Sequence, residues 1–186
     1  MKLVHRLWFS PQFGMIVALG CLSIQARGVD FLSSGNFGVS LLNPATQTSV
    51  IGNPDFFGEF QAEIKSHALF RPEFRTRIEG GSGSSVLLMG QASAGIKMVA
   101  AEAHTIRPFV TLDAAGAWAS LSNSSSQYVG ALFGAVFTAG TEISLTKDDE
   151  KGLVLATGYR YLSGVVSPQF GGASLTCFQF TVGYQF

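Results

Sequence analysis

The chain has 186 residues, of which 47% are hydrophobic, 13% are charged and 22 are glycine, and its mean hydropathy is +0.31. This composition suits a single domain whose apolar surface is not all hidden from its surroundings. Twelve basic and twelve acidic residues give a formal net charge of zero, and the basic residues form no stripe. We therefore expect no nucleic-acid partner, because nothing in the sequence is arranged to neutralise a phosphate backbone.

The first 26 residues have the pattern of a targeting segment. Lys2 and Arg6 form a positive region, a mostly apolar stretch follows, and Ala26 is a small residue at the expected cut. We expect residues 1–26 to be a signal peptide and 27–186 to be the mature domain. A retained membrane helix is the alternative, but Pro11, Gln12 and Gly14 interrupt the stretch, and the apolar run from Phe13 to Ile24 is shorter than the ~20 residues that span a bilayer.

A lipoprotein signal is a further alternative for this segment. Ala18-Leu19-Gly20-Cys21 resembles the motif in which the cysteine is lipidated, although leucine and alanine stand in the reverse of the usual order. Under ordinary cleavage Cys177 is the one cysteine left, and no intramolecular disulfide is possible.

The C-terminal half repeats one theme, in which β-branched, aromatic, alanine and glycine residues fill segments separated by polar turn clusters. This pattern predicts a meander of five strands with boundaries good to about three residues. They are Ser85–Met98, Ile106–Ala119, Tyr128–Leu145, Gly152–Leu162 and Ser174–Phe186.

The last segment has the clearest alternation. Aromatic and apolar residues occupy one face, and the other face is polar or small. The apolar set comprises Phe178, Phe180, Val182, Tyr184 and Phe186. A soluble sandwich would normally expose a well-charged face. Small and polar residues suit instead the crowded interior of a narrow membrane barrel, whose apolar face meets lipid.

The N-terminal half is less regular. One strand is predicted within Phe56–Phe70, Gly38–Leu42 with Ser49–Ile51 suggest another, and Arg71–Ser84 is predicted to be an exposed loop or hairpin region. A sheet in lipid cannot leave an unpaired edge, so the barrel must close with an even number of strands. The mature length accommodates eight. The predicted fold is thus all-β, a closed antiparallel transmembrane up-and-down barrel.

Three stretches resemble the small outer-membrane barrels of the opacity-protein and OmpA-transmembrane-domain type. They are Gly158-Tyr159-Arg160-Tyr161, Gly140-Thr141-Glu142 and the terminal run 178–186. The terminal run is similar to the signal by which such barrels are recognised for insertion. The resemblance implies the outer membrane of a Gram-negative bacterium, outer-membrane lipid and the barrel-assembly machinery as partners, and a monomer. Residues 31–77 do not visibly follow the family.

Catalysis has weak support in the sequence. Some barrels of similar appearance modify lipid A with a serine, a histidine and a carboxylate, and Ser66, His67 and Glu63 are the best such constellation here. An isolated histidine near a strand end is more often a surface residue, and His104 falls in a predicted periplasmic turn. No histidine or cysteine pair has metal-ligand spacing. We therefore expect no catalytic site, no metal and no cofactor.

The alternation assigns four charges to the barrel interior: Lys97, Asp113, Glu142 and Arg160. Unpaired burial of these groups would be costly, so we expect Lys97 to pair with Glu142 and Asp113 with Arg160, filling the lumen. The function predicted is a structural outer-membrane barrel of the cell envelope that presents surface loops for adhesion or contact. The alternatives are an outer-membrane lipid-modifying enzyme and a narrow channel.

Overall fold

The computed structural model describes residues 31–42, 54–65, 69–82, 86–100, 105–122, 127–146, 151–164 and 174–186. These residues form eight strands. They are β1 (Phe31–Leu42), β2 (Asp55–Ile64), β3 (Phe70–Ser82), β4 (Val86–Val99), β5 (Ile106–Ser122), β6 (Gln127–Ser144), β7 (Gly152–Gly164) and β8 (Ser174–Gln185). No helix in this part of the chain is long and apolar enough to cross a membrane.

The strands form one closed barrel in which each pairs antiparallel with its neighbours in sequence. β1 and β8 close the sheet, in a register that runs from Ser34 opposite Gln185 to Leu42 opposite Cys177. Beyond the last strand residue, the backbone N–H of Phe186 donates to the carbonyl oxygen of Ser33 at 2.9 Å. The backbone groups along both sheet edges therefore have hydrogen-bond partners, and the predicted closed eight-stranded antiparallel barrel is confirmed.

The five C-terminal strands agree with the sequence prediction to within three residues at each end. In the N-terminal half, the strand expected within Phe56–Phe70 is β2. The segment Gly38–Leu42 belongs to β1, which begins earlier, at Phe31. The expected contribution of Ser49–Ile51 and the expected signal peptide at 1–26 lie outside the described residues.

The prediction of an exposed loop or hairpin at Arg71–Ser84 is wrong, because most of this segment is strand β3. β3 pairs along its length with both β2 and β4. Its charged side chains are not solvated but point into the barrel, where Arg71 and Glu79, near its two ends, are both buried. The prediction rested on the glycine- and serine-rich run 80–83, whose first three residues belong to β3.

The two faces of the barrel wall have opposite character. Large apolar side chains point outward, and Phe37 is 74% exposed and Val182 60% exposed. Charged and amide side chains point inward, and Arg160 and Gln179 are both fully buried. This is the reverse of a water-soluble protein, in which charged residues are almost never fully buried.

The lumen changes character along the barrel axis. We call the end that carries the β2–β3, β4–β5 and β6–β7 connections the turn end, and the opposite end the loop end. Toward the loop end, buried apolar side chains form a cluster on β4–β8, comprising Leu87, Met89, Ala115, Ala117, Ala119, Leu132, Val136, Leu162 and Leu175. Charged side chains fill the lumen between this cluster and the turn end.

Candidate functional site in the barrel lumen

Six cationic and seven anionic side chains are buried inside the described barrel. The cations are Arg71, Arg75, Arg77, Lys97, Arg107 and Arg160, and the anions are Asp55, Glu59, Glu63, Glu73, Glu79, Asp113 and Glu142. The four charges assigned to the interior from sequence are all among them. Most of the others come from β2 and β3, the strands on which the sequence pattern was least legible.

The group nearest the turn end centres on Lys97. Its Nζ donates to Oε2 of Glu63 at 2.7 Å and to Oε1 of Glu142. The Nη1 of Arg71 lies 3.1 Å from Oε1 of Glu63, and Nη2 of Arg107 lies 3.3 Å from Oε2 of Glu142. The structure thus brings Lys97 and Glu142 together, but within a five-membered chain of alternating charge.

A second group lies at mid-height and is built around Arg77. Its Nε and Nη2 donate to Oε2 of Glu59 at 2.9 and 2.6 Å, and its Nη1 donates to Oε1 of Gln179 on β8 at 2.5 Å. The amide of Asn36 on β1 donates to the other oxygen of Glu59 at 3.2 Å. This group therefore crosses the lumen and links β3 to β8.

Arg75 is the centre of a third group, which crosses toward β5 and β6. Its Nη2 donates to Glu73 at 2.6 Å and to Oγ1 of Thr111 at 2.9 Å, and its Nη1 donates to Oγ1 of Thr138 at 3.3 Å. The Nε of Arg75 lies 3.5 Å from Oδ2 of Asp113. The nearest cation to Asp113 thus comes from β3.

The expected pairing of Asp113 with Arg160 is therefore wrong. Arg160 instead forms a two-pronged contact with Glu79, with Nη1 to Oε2 at 2.5 Å and Nη2 to Oε1 at 2.8 Å, and Nη1 also donates to Gln91. Such bidentate pairs are among the strongest hydrogen-bonded ion pairs in proteins. The sequence prediction lacked Glu79 because it treated β3 as a loop.

Two aromatic rings occupy the lumen beside the cations. Phe57 lies against Arg77, whose Cζ is 3.8 Å from the ring centre, and Phe109 lies against Lys97, whose Nζ is 4.7 Å from the ring centre. Each ring faces a glycine that makes room for it. A Cβ at Gly38 would collide with the Phe57 ring, and one at Gly140 would lie 2.7 Å from Cζ of Phe109. These glycines permit a cation–π contact in each case.

The described lumen is filled. A cavity near the turn end has a volume of about 10 Å³, enough for roughly one water molecule, and is lined by polar groups that include Ser34 and Gln61. No group of three or more histidine, cysteine or acidic residues in the described ranges could hold a metal ion. Of the residues weighed for catalysis, Ser66, His67 and His104 lie outside the described residues, and Glu63 is engaged by two cations.

The outer wall carries the residues assigned from sequence to an assembly signal. Phe178, Phe180, Val182, Tyr184 and Phe186 all point outward and are between 43% and 60% exposed. They form one side of β8. The ring of Phe178 packs edge-on against Tyr159 of β7, with the ring centres 5.2 Å apart.

Solved structures share this arrangement of eight strands. The crystal structure of Neisserial surface protein A matches with a TM-score of 0.68 at 12% identity, covering 83% of this chain and 95% of that one. The chain has the fold of the small outer-membrane β-barrels. Ail, the attachment invasion locus protein of Yersinia pestis, matches with a TM-score of 0.55 at 11% identity, covering 84% of this chain and 97% of that chain.

The N-terminal β-barrel domain of Pseudomonas aeruginosa OprF matches with a TM-score of 0.53 at 13% identity, covering 84% of this chain and 97% of that domain. No protein-family model matches the sequence, and comparison with curated proteins finds no match. At these identities the likeness establishes the fold and not the function.

Proposed function

We propose that this protein is a structural outer-membrane barrel of a Gram-negative cell envelope, closed to ions and embedded as a monomer. The observation that carries the proposal is the inverted distribution of side chains, with an apolar, aromatic outer wall around an ion-paired interior. A membrane barrel requires this distribution.

Lipid is the environment that suits the outer wall. Large apolar side chains are exposed on every strand from β1 to β8, including Phe37, Phe133 and Phe180. A soluble monomer rarely exposes a contiguous apolar patch larger than a few hundred Å². The strands have 10 to 18 residues, and about 9–11 tilted residues suffice to cross the hydrocarbon core. Closure of the sheet leaves no unpaired edge in the bilayer.

A structural role suits the interior better than conduction does. Charges on β2–β5 and β7 reach across the lumen, as in the pairing of Arg160 with Glu79 and of Arg77 with Gln179. The apolar cluster occupies the part of the lumen between these charges and the loop end. An eight-stranded barrel is only wide enough for side chains to fill it.

Assembly of the barrel would use its last strand. We propose that the outward row on β8, which ends in Phe186, is read by the barrel-assembly machinery during insertion. Two properties of β8 support this role. Its outward row is aromatic or apolar at each second position, and the strand closes the sheet against β1.

Surface contact is a finer possibility within the same proposal. One structure with this fold, Ail, is described as an attachment invasion locus protein, and it also has a structure in complex with the heparin analogue sucrose octasulfate. Adhesion by this chain would depend on the connections at the loop end, which lie largely outside the described residues. Loop exchange between the two proteins, scored by cell adhesion, would test this point.

The proposal is tested by fractionating cells that express the full chain and following its migration in detergent gels with and without heating. We expect the protein in the outer-membrane fraction, running as a compact band when unheated and as a slower band after boiling. Recovery in a soluble fraction, or identical migration in both samples, would overturn the proposal.

The two alternatives have separate tests. Lipid A composition compared between cells with and without the protein tests for a lipid-modifying enzyme, and the proposal expects no change. The carboxylate of Glu63 argues against that activity, because Lys97 and Arg71 both engage it and it is not free to orient a histidine. Single-channel recording tests for a narrow channel.

A further inference from the structure

We propose that the outer wall at β4–β6 preferentially binds the longer acyl chains of the surrounding lipid, so that the bilayer is thicker beside β6 than beside β2. This inference rests on the proposed function, because it names the kind of lipid that the wall recruits once the barrel lies in a bilayer. The observation that carries it is the unequal height of the apolar wall around the barrel.

The longest and the shortest strands lie on opposite sides of the barrel. β6 has 18 residues and β2 has 10, and in the closed order of eight strands they are diametrically opposite. β6 pairs with β5 from Ile143 to Gln127. β2 pairs with β3 over the shorter range from Phe56 to Glu63. The hydrogen-bonded wall is therefore tallest at β6 and shortest at β2.

The outward apolar surface follows this difference in height. On β2 the outward positions run from Phe56 to Ile64, after which Lys65 follows. On the β6 side they run from Val129 to Leu145 and are apolar apart from one threonine. At about 3.4 Å per residue and a strand tilt of about 40°, these runs span roughly 21 Å on β2 and roughly 42 Å on β6. The apolar band of an outer-membrane barrel is about 25 Å tall, so β2 suits an ordinary bilayer and β6 exceeds it.

The tall part of the wall contains no charged residue. Residues 86–96 of β4, 114–122 of β5 and 127–141 of β6 include no aspartate, glutamate, lysine or arginine. Toward the loop end the outward side chains Val86 and Leu88 are 54% and 40% exposed. A sheet that stood in water beyond the bilayer would expose polar side chains on its outer face. This part of the wall is therefore suited to lipid, and it continues the lipid-facing wall nearer the turn end.

Longer acyl chains relieve the mismatch better than tilting of the barrel does. An apolar surface taller than the bilayer is accommodated by tilting or by local thickening of the bilayer. The surplus on the β6 side reaches both ends, where Val129 is 40% exposed and Leu145 is 56% exposed. Tilting would also reduce the projected height of β2, which is already short. Thickening confined to the β6 side matches the tall wall and leaves the lipid beside β2 unchanged.

The fluorescence of Trp118 reports on the lipid at this face. Trp118 lies on the outer side of β5, opposite Ala131 of β6, and is the only tryptophan in a chain that begins at Arg27. This chain is reconstituted into vesicles of brominated dioleoylphosphatidylcholine mixed with either dierucoyl- or dimyristoleoylphosphatidylcholine. Bromine quenches an indole that it contacts, so relief of quenching measures how strongly the second lipid competes for the face. We expect the long-chain dierucoyl lipid to compete roughly two- to fivefold more strongly than the short-chain dimyristoleoyl lipid.

The matched control moves the indole to the opposite face. Trp118→Phe combined with Phe56→Trp places it on the outer side of β2, also toward the loop end. There the short-chain lipid should compete as strongly as the long-chain lipid or more strongly. A second variant, Val86→Ser with Val129→Ser, lowers the apolar wall without altering the lumen, because both side chains point outward. It should weaken the long-chain preference at Trp118.

The same chain-length preference at both faces, or an undiminished preference in the double serine variant, would overturn the inference and leave the proposed function intact. Absence of quenching at both faces would overturn the inference together with the proposed function, because neither side of the wall would then contact lipid.

Discussion

Arg160 offers a severe test of the ion-paired interior. The side chain is fully buried, donates two short hydrogen bonds to Glu79 and a third to Gln91 at 3.2 Å, and is the largest of the fully buried side chains. Arg160→Ala leaves the Glu79 carboxylate buried without its main partner. Breaking a buried ion pair in this way costs about 3–5 kcal/mol. Arg77 lies 4.0 Å from the same carboxylate and partly compensates it, so we expect a loss of about 3 kcal/mol.

Urea unfolding of the refolded protein in detergent micelles, followed by the fluorescence of Trp118, measures this loss. The double variant Arg160→Met with Glu79→Leu should recover most of the stability, because replacing a whole buried pair by apolar residues is often neutral. Lys151→Ala is the control, since this exposed turn residue should matter by less than about 0.5 kcal/mol. An unchanged stability of Arg160→Ala, or a double variant no more stable than the single ones, would refute the reasoning.

Three further predictions concern the role of β8 in insertion, the packing around two glycines of the barrel and the filled lumen. Deletion of Phe186 should leave a degraded or aggregated periplasmic species, whereas the control Phe186→Tyr should insert normally. Immunoblots of outer-membrane fractions measure the yield of both variants. A wild-type yield of the truncated chain would contradict the role of β8 in insertion. Gly140→Val should lower the free energy of unfolding by about 1–3 kcal/mol, because its side chain would collide with the Leu155 carbonyl oxygen, with Ala156 and with the ring of Phe109. The control Gly58→Ala should leave the free energy of unfolding nearly unchanged, because its added Cβ would come no nearer than 3.8 Å to Phe37. Equal urea midpoints for the two glycine variants would contradict the packing argument. Finally, the wild-type protein in a planar lipid bilayer should give no steady conductance, and a stable open level would show that the lumen is not closed.

The strands that the sequence predicted well are those whose alternation contrasts apolar with polar or small residues. In β8, Phe178 and Phe180 alternate with Cys177 and Gln179, and the burial of the side chains follows the same period. This contrast is local, so it can be read without knowing the neighbouring strands.

The sequence analysis does not predict β3 because the glycine- and serine-rich run 80–83 at its end is typical of a loop, and the charges before it do not show the usual contrast of apolar with polar or small residues. Charged residues at every second position, Arg71, Glu73 and Arg75, are also common in solvent-exposed loops. The aromatic residues Phe70 and Phe74 occupy the alternate positions. A period-2 pattern of charge against aromatic residues is the signal that would have identified a strand with a polar lumen face.

The pairing of the lumen charges required the register, which no local pattern supplies. Arg160 and Glu79 are 81 residues apart in sequence and meet across the barrel, not between adjacent strands. The expected contact between Lys97 and Glu142 forms near the turn end of the barrel. The expected partner of Asp113 is wrong, because its ion-pair partner Arg75 lies on β3, which the sequence analysis predicts to be a loop.

The inverted distribution of side chains is tested most directly by spin labels on the outer wall of the barrel in lipid bilayers. Single cysteines for labelling would replace Phe137, Leu155 and Phe180, with Lys151 as the water-exposed reference, in a chain that begins at Arg27. The native Cys177 is buried and should not react. We predict that dissolved oxygen relaxes the three wall labels more strongly than a water-soluble nickel chelate does, with the opposite order at Lys151. Equal access of the nickel chelate to the wall labels and to the label at Lys151 would contradict a lipid-facing wall.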